Sequence, residues 1–263
     1  MLIRYLVFLA LVATVIGCES SSDKAELPMS LMMPAIGTRV ANEISIGDKK
    51  IPLPEGDWTV IGTGIDRNNA EGYFVSEMLV QIRDKTVTGA VEIFSNLPVK
   101  GGNPEGFFGA VDSSPQGWLT HRSCTRDDMH FLKVYSNIRR GEQDCWWINH
   151  WRMNRTGVAV TEHWMEAVKY LSDNDISAPL DMLGVSFRLA NKMYYLTANY
   201  FFNAEVEGLK STDDLHWSIN TWETSDWHPD KVRNDGKKRE FIVKLIAWGN
   251  RWHGRIRESF GAE

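Results

Sequence analysis

The stretch from Phe74 to Phe94 constrains this chain's fold more tightly than any other. Met78, Val80 and Ile82 alternate with Glu77, Gln81 and Arg83. The chain turns near Asp84-Lys85, and Val87, Val91 and Ile93 then alternate with Thr86, Thr88 and Glu92. A period of two belongs to extended strands, whose side chains point to opposite faces. Two such runs around a short polar turn predict an antiparallel hairpin. A smaller one is predicted from Ile44 to Ile51 around Gly47-Asp48. Pro52 to Asp57 breaks the chain before Trp58 opens another strand.

Further strands follow. Phe131 to Tyr135 and Cys145 to Trp151 can pair antiparallel, with Arg139 to Glu142 at the turn. On such a strand Trp147 and Trp151 share a face and Trp146 opposes them. Met182 to Leu189 reads as a strand, Asn191-Lys192 as a turn, and Met193 to Phe202 as the returning strand. Asn96 to Gln116 reads as loop, punctuated by Gly101 to Pro104. Helical periodicity is confined to two places. Val160, Trp164, Val168 and Leu171 form a stripe that predicts a helix over 161–171, with Glu162-His163 on its solvated surface. Phe241, Leu245, Trp248, Trp252, Ile256 and Phe260 predict a long helix over 237–260, with Gly249 and Gly254 allowing close packing. Its stripe and basic flank also suit an interfacial membrane helix, but packing on a sheet is the reading preferred here. The expected fold is α+β: one domain, a largely antiparallel sheet and these two helices.

The N-terminus follows a different logic. Arg4 precedes thirteen uncharged residues, Tyr5 to Gly17, before Cys18 and the polar run Ser20 to Glu26. As a helix the apolar run would span about 20 Å against a hydrocarbon core of roughly 30 Å, too short for a membrane span and suited to a secretory signal. Val15-Ile16-Gly17-Cys18 resembles the lipobox of bacterial lipoproteins. The resemblance covers only the first twenty or so residues. It implies cleavage before Cys18, a diacylglycerol thioether on its sulfur, and an anchor of two or more acyl chains. The expected organisation is a signal peptide over 1–17, a lipidated N-terminus and tether over 18–40, and a globular domain over 41–263. The expected address is the bacterial cell envelope. Glu19 leaves the choice of membrane open.

With Cys18 acylated, Cys124 and Cys145 remain as a pair in an oxidising compartment. A disulfide would close a loop of about 20 residues and contribute roughly 3 kcal/mol in the chain-entropy treatment. Two free thiols are the alternative, or a metal site with His121, His130 or His150, although no CxxC spacing supports a metal. The predicted strand pairing brings Cys124 to Cys145 only if the strands bend or slip.

Chemistry is sparse. Loss of Arg4 with the signal moves the net charge from −5 to −6, and no basic block occurs, so a nucleic-acid partner is not expected. Adjacent Asp127-Asp128 and Asp213-Asp214 diverge on a strand and make no dyad. The seven histidines follow no metal spacing, and no nucleophile-elbow, phosphate-loop or dinucleotide motif is present. No cofactor or metal is expected. Tryptophan is the outlier, at 11 of 263 residues. Trp217, Trp222 and Trp227 lie five apart in a polar stretch, a spacing that gathers them only through loop geometry. They are the candidate ligand-binding residues, with burial under a long loop as the competing reading. The expected role is a membrane-anchored lipoprotein with a non-catalytic binding or scaffolding domain. Its partners would be the bilayer, through acylated Cys18, and an envelope glycan or another envelope protein. The alternative is an envelope hydrolase acting on a glycan or ester through an aromatic-lined cleft. A transporter's solute-binding component is disfavoured, because the chain lacks alternating βα units.

Overall fold

A computed structural model describes residues 33–47, 49–68, 72–98, 124, 129–137, 142–152, 161–191, 194–209 and 225–261. Two antiparallel meanders form one eight-stranded sheet. The first comprises β4 (Trp58–Asn68), β5 (Gly72–Arg83) and β6 (Thr86–Pro98). The second comprises β7 (Phe131–Asn137), β8 (Gln143–Arg152), β9 (Asp181–Ala190) and β10 (Tyr195–Phe202), with helix α1 (Glu162–Asp173) inserted between β8 and β9. Each meander runs from an outer edge toward the middle, and they meet where β6 pairs with β10. The short strand β1 (Arg39–Val40) flanks β4. A separate hairpin, β2 (Glu43–Ile46) with β3 (Lys49–Pro52), pairs Ile44 with Ile51. Helices α2 (Pro229–Val232) and α3 (Gly236–Phe260) complete the chain. The expected α+β architecture is thus found.

Local chemistry explains the turns and ends. Asp84 and Lys85 have φ of 49° and 56°, the left-handed geometry that a two-residue hairpin turn needs at both positions. Asp235 caps α3 by accepting from the N–H groups of Lys237 and Lys238, and Gly261 closes it at φ 72°.

Both faces of the sheet are covered. On the front face α3 crosses β8 and β9 and touches β3. Trp146, Phe187, Tyr200, Trp248 and Trp252 pack as a run of ring contacts with centroids 4.8–5.9 Å apart. The Tyr200 hydroxyl donates to the Pro52 carbonyl at 2.8 Å, fastening the small hairpin to the sheet. On the back face α1 lays Trp164 and Ala167 over Ile61, Met78, Val80, Ala90 and Phe201. Each large side chain buried here contributes about 1.5–3 kcal/mol before conformational entropy is subtracted.

Two glycines permit the closest approaches. A Cβ on Gly62 would stand 2.0 Å from the His163 carbonyl oxygen, so the first turn of α1 rests directly on β4. A Cβ on Gly249 would stand 2.4 Å from the Trp146 ring, which therefore enters the helix surface. Gly254 has nothing near its missing Cβ and serves no such purpose.

Three expectations need correction. Val168 is exposed, because the buried side of α1 runs through His163, Trp164 and Ala167, with Tyr170 and Leu171 beside it. Val160 lies outside the described residues. His163 is buried instead of solvated, for the same reason. The folded body also starts before residue 41: Met33 packs on the core, and Arg39 and Val40 pair with Thr59 and Trp58.

Gly249→Ala should lower stability by about 1–3 kcal/mol, because the Trp146 ring must move, whereas Gly254→Ala should raise it by about 0.5–1 kcal/mol. Urea unfolding of the two variants measures both. Equal effects would show that ring insertion does not govern the α3 packing.

Candidate functional site

The most connected polar cluster among the described residues lies on the back face, under the first turn of α1. Glu92 projects there from β6, opposite Met78 and Asn199 in register. Its Oε1 accepts from Trp164 Nε1 at 2.7 Å and from His163 Nε2 at 3.0 Å, and its Oε2 accepts from Asn199 Nδ2 at 2.9 Å. On the other side of the imidazole, His163 Nδ1 lies 2.9 Å from Ser76 Oγ. An ionised carboxylate only accepts, so Nε2 carries a proton, and a neutral ring then offers Nδ1 to the Ser76 hydroxyl. The result is a hydroxyl–imidazole–carboxylate chain.

Local sequence builds this cluster. Alternation on β5 and β6 sends Ser76 and Glu92 to the back face, and extended Thr161 at the N-cap position starts α1 so that His163 and Trp164 fall in its first turn. Gly62 and Gly64 let that turn descend onto β4. A Cβ on Gly64 would stand 2.7 Å from Ser76 Oγ. Glu166, one turn later, accepts from the Thr63 N–H at 2.9 Å and so satisfies a donor on β4. Chemically the chain can polarise the Ser76 hydroxyl, or it can tie the helix to the sheet through the Glu92 carboxylate and its donors, although Asn199 Oδ1 is left without a hydrogen bond. Ser76 is only 5% exposed.

Other buried polar groups gather on the front face. Asp144 accepts from His253 Nε2 at 2.6 Å and lies 3.4 Å from Arg257 Nε, joining β8 to α3, while Tyr135 stacks on His253 at 4.3 Å. Glu77 is wholly buried on β5 with neither carboxyl oxygen hydrogen-bonded. His130 stands edge-on to His150 at 6.2 Å, and burial pushes its imidazole down to about 4. Among the described residues no group of three His, Cys, Asp or Glu is placed to hold a metal ion. No described helix is long and apolar enough to cross a membrane.

Cys124 and Cys145 form a disulfide, with Cα atoms 6.0 Å apart. The β7–β8 pairing coexists with it. Cys145 sits opposite Val134, next to a register shift, and both half-cystines pack with Trp147. Trp227 is buried against Phe241, with the Lys238 ammonium 4.9 Å over its ring, so it offers no open platform. Trp217, Trp222 and Cys18 lie outside the described residues. Sequence reasoning missed Ser76, Glu92 and His163. The available signal was Gly62 and Gly64 two apart in a strand, which marks one face for close backbone approach. Compared with known proteins, the chain matches no protein family, no curated protein and no solved structure.

Glu92→Gln should destabilise the domain by about 2–3 kcal/mol, since the amide nitrogen faces donors that the carboxylate satisfied. Thermal and urea unfolding check this. A loss below about 0.5 kcal/mol would show that the carboxylate does not hold α1 in place.

Proposed function

We propose that this chain is a lipid-anchored protein of the bacterial cell envelope whose α+β domain binds or scaffolds without catalysis. The observation that carries the address is Val15-Ile16-Gly17-Cys18 after an uncharged run of thirteen residues. The disulfide adds support. It is the chemistry of an oxidising compartment, and it leaves Cys18 as the single cysteine outside a bridge. A non-catalytic role fits a body in which α3, α1 and the small hairpin already occupy the sheet faces, and in which the carboxylate of Glu92 is held by three donors. The partners proposed are the bilayer, through acylated Cys18, and a glycan or protein of the envelope.

Cys18→Ser should move the protein from the membrane fraction to the soluble fraction, with the fold unchanged by circular dichroism. Continued sedimentation with membranes would overturn the anchor.

A hydrolase acting on an envelope ester or glycan is the second reading, and one observation favours it: the Ser76–His163–Glu92 chain. A fluorophosphonate probe distinguishes the two. A nucleophilic Ser76 predicts one covalent adduct on its peptide, found by mass spectrometry and lost in Ser76→Ala. An unlabelled native protein retires the Ser76 nucleophile and leaves the tie between α1 and the sheet as the role of the cluster.

A further inference from the structure

We propose that Glu77 makes the seating of the β2–β3 hairpin on the sheet depend on a proton: the hairpin stays closed while the carboxyl group is neutral, and ionisation favours an open state in which water reaches β5.

Glu77 lies in the middle of β5 on the front face, between Val75 and Leu79, opposite Thr63 of β4 and Ile93 of β6. It is 0% exposed, as are Val75, Leu79 and Ile93. These three share one apolar cluster with Ile44, Ile46 and Ile51 of the hairpin and with Leu53 just after it. The hairpin's position follows from its two ends. At its turn, a Cβ on Gly47 would stand 2.6 Å from Leu97 Cδ2 of β6. At its far end, Pro52 accepts from Tyr200 of β10. The chain arrives from β1 at the outer side of β4, so it must pass over β4 and β5 to reach that position.

No described group neutralises Glu77. Of the hairpin's described charged groups, Lys49 turns inward but stands over the Tyr194 ring at 4.6 Å, and Glu43 and Lys50 pair with each other at 3.0 Å in solvent. The adjoining strands offer the Thr63 and Ser95 side chains, and the Ser95 hydroxyl donates to the Tyr195 carbonyl. The Tyr200 hydroxyl donates to Pro52, as described above. Toward β8 and α3, Asp144 is joined with His253 and Arg257, and His150 lies at the far end of β8. Both Glu77 oxygens remain without a hydrogen bond.

A bare carboxylate in such surroundings is so costly that the group keeps its proton. Burial alone raises Glu77 from 4.5 to about 8. The closed form therefore holds its proton up to about pH 8, and an open, hydrated form releases it near the ordinary carboxylate value. Closure is fully favoured below the ordinary value. It weakens as pH rises through the interval between the two values, and the loss is complete above the higher one. The hairpin is the element positioned to yield. Its two four-residue strands pair only with each other, whereas β5, β6 and β10 each have ladders on both sides.

Amide hydrogen exchange of the whole protein, corrected for intrinsic rates, tests this. Between about pH 5.5 and about pH 8, hairpin protection should fall about a hundredfold in the native chain, while β6 and β10 keep theirs. Glu77→Gln and Glu77→Met should abolish the fall. Hairpin protection that ignores pH in the native chain overturns the proposal without need of a variant. So does an equal fall in either variant, or a fall shared by β6 and β10.

Discussion

The pairing of β6 with β10 is the seam on which the rest of the domain depends. Each meander closes on itself through short turns, so local chemistry can form both. Only this seam, from Gly89–Phe202 to Ser95–Leu196, converts two meanders into one sheet wide enough to carry a helix on either face. Once both faces are covered, most central residues are inside, whichever way they point. β9 shows the consequence: all ten of its residues are buried. A carboxyl side chain inside such a sheet has two outcomes. It finds partners within the protein, or it gives up its charge.

Glu92 and Glu77 represent the two outcomes. They lie on neighbouring strands one residue apart in register, because Glu92 pairs with Met78. That offset sends them to opposite faces. Glu92 meets the first turn of α1, which supplies indole and imidazole donors, and Asn199 adds an amide. Glu77 meets aliphatic side chains. The same functional group is thereby an organising acceptor on one face and a proton-bearing strain on the other. The difference lies in the covering element and not in the strand sequence.

This also marks how far the sequence could be read. Turns and helix limits are local: Asp84-Lys85 and Gly47 fall where short-range rules put them, and α1 and α3 begin within one residue of expectation. Alternation on β5 groups Glu77 with Gln81 and Arg83, and a strand wet on one side would expose all three. Glu77 lies beneath cover near the centre, while Arg83 sits by the turn in solvent. Local periodicity carries no information about how far a covering element extends. His163 fails for a related reason. Its helix approaches so closely over Gly62 and Gly64 that a flank of the apolar stripe is buried with the stripe. Ser76, Glu92 and His163 are distant in sequence and follow no motif, so only the folded register brings them together.

The tryptophans follow from the same geometry. Eight of the eleven are described, and five of these are buried: Trp58, Trp146, Trp147, Trp164 and Trp227. A sheet sandwiched between helices leaves irregular gaps, and an indole fills one most fully where the facing residue has no side chain. Trp146 does so at Gly249. Trp151 does so at Gly184, where a Cβ would stand 2.6 Å from the ring. Ring and glycine are therefore one volume divided between two positions, and neither tolerates change without the other. Several indole N–H groups are also engaged within the fold: Trp58 donates to the Pro54 carbonyl, Trp151 to Asn149 and Trp164 to Glu92. For the eight described tryptophans, packing is thus a sufficient cause that requires no ligand.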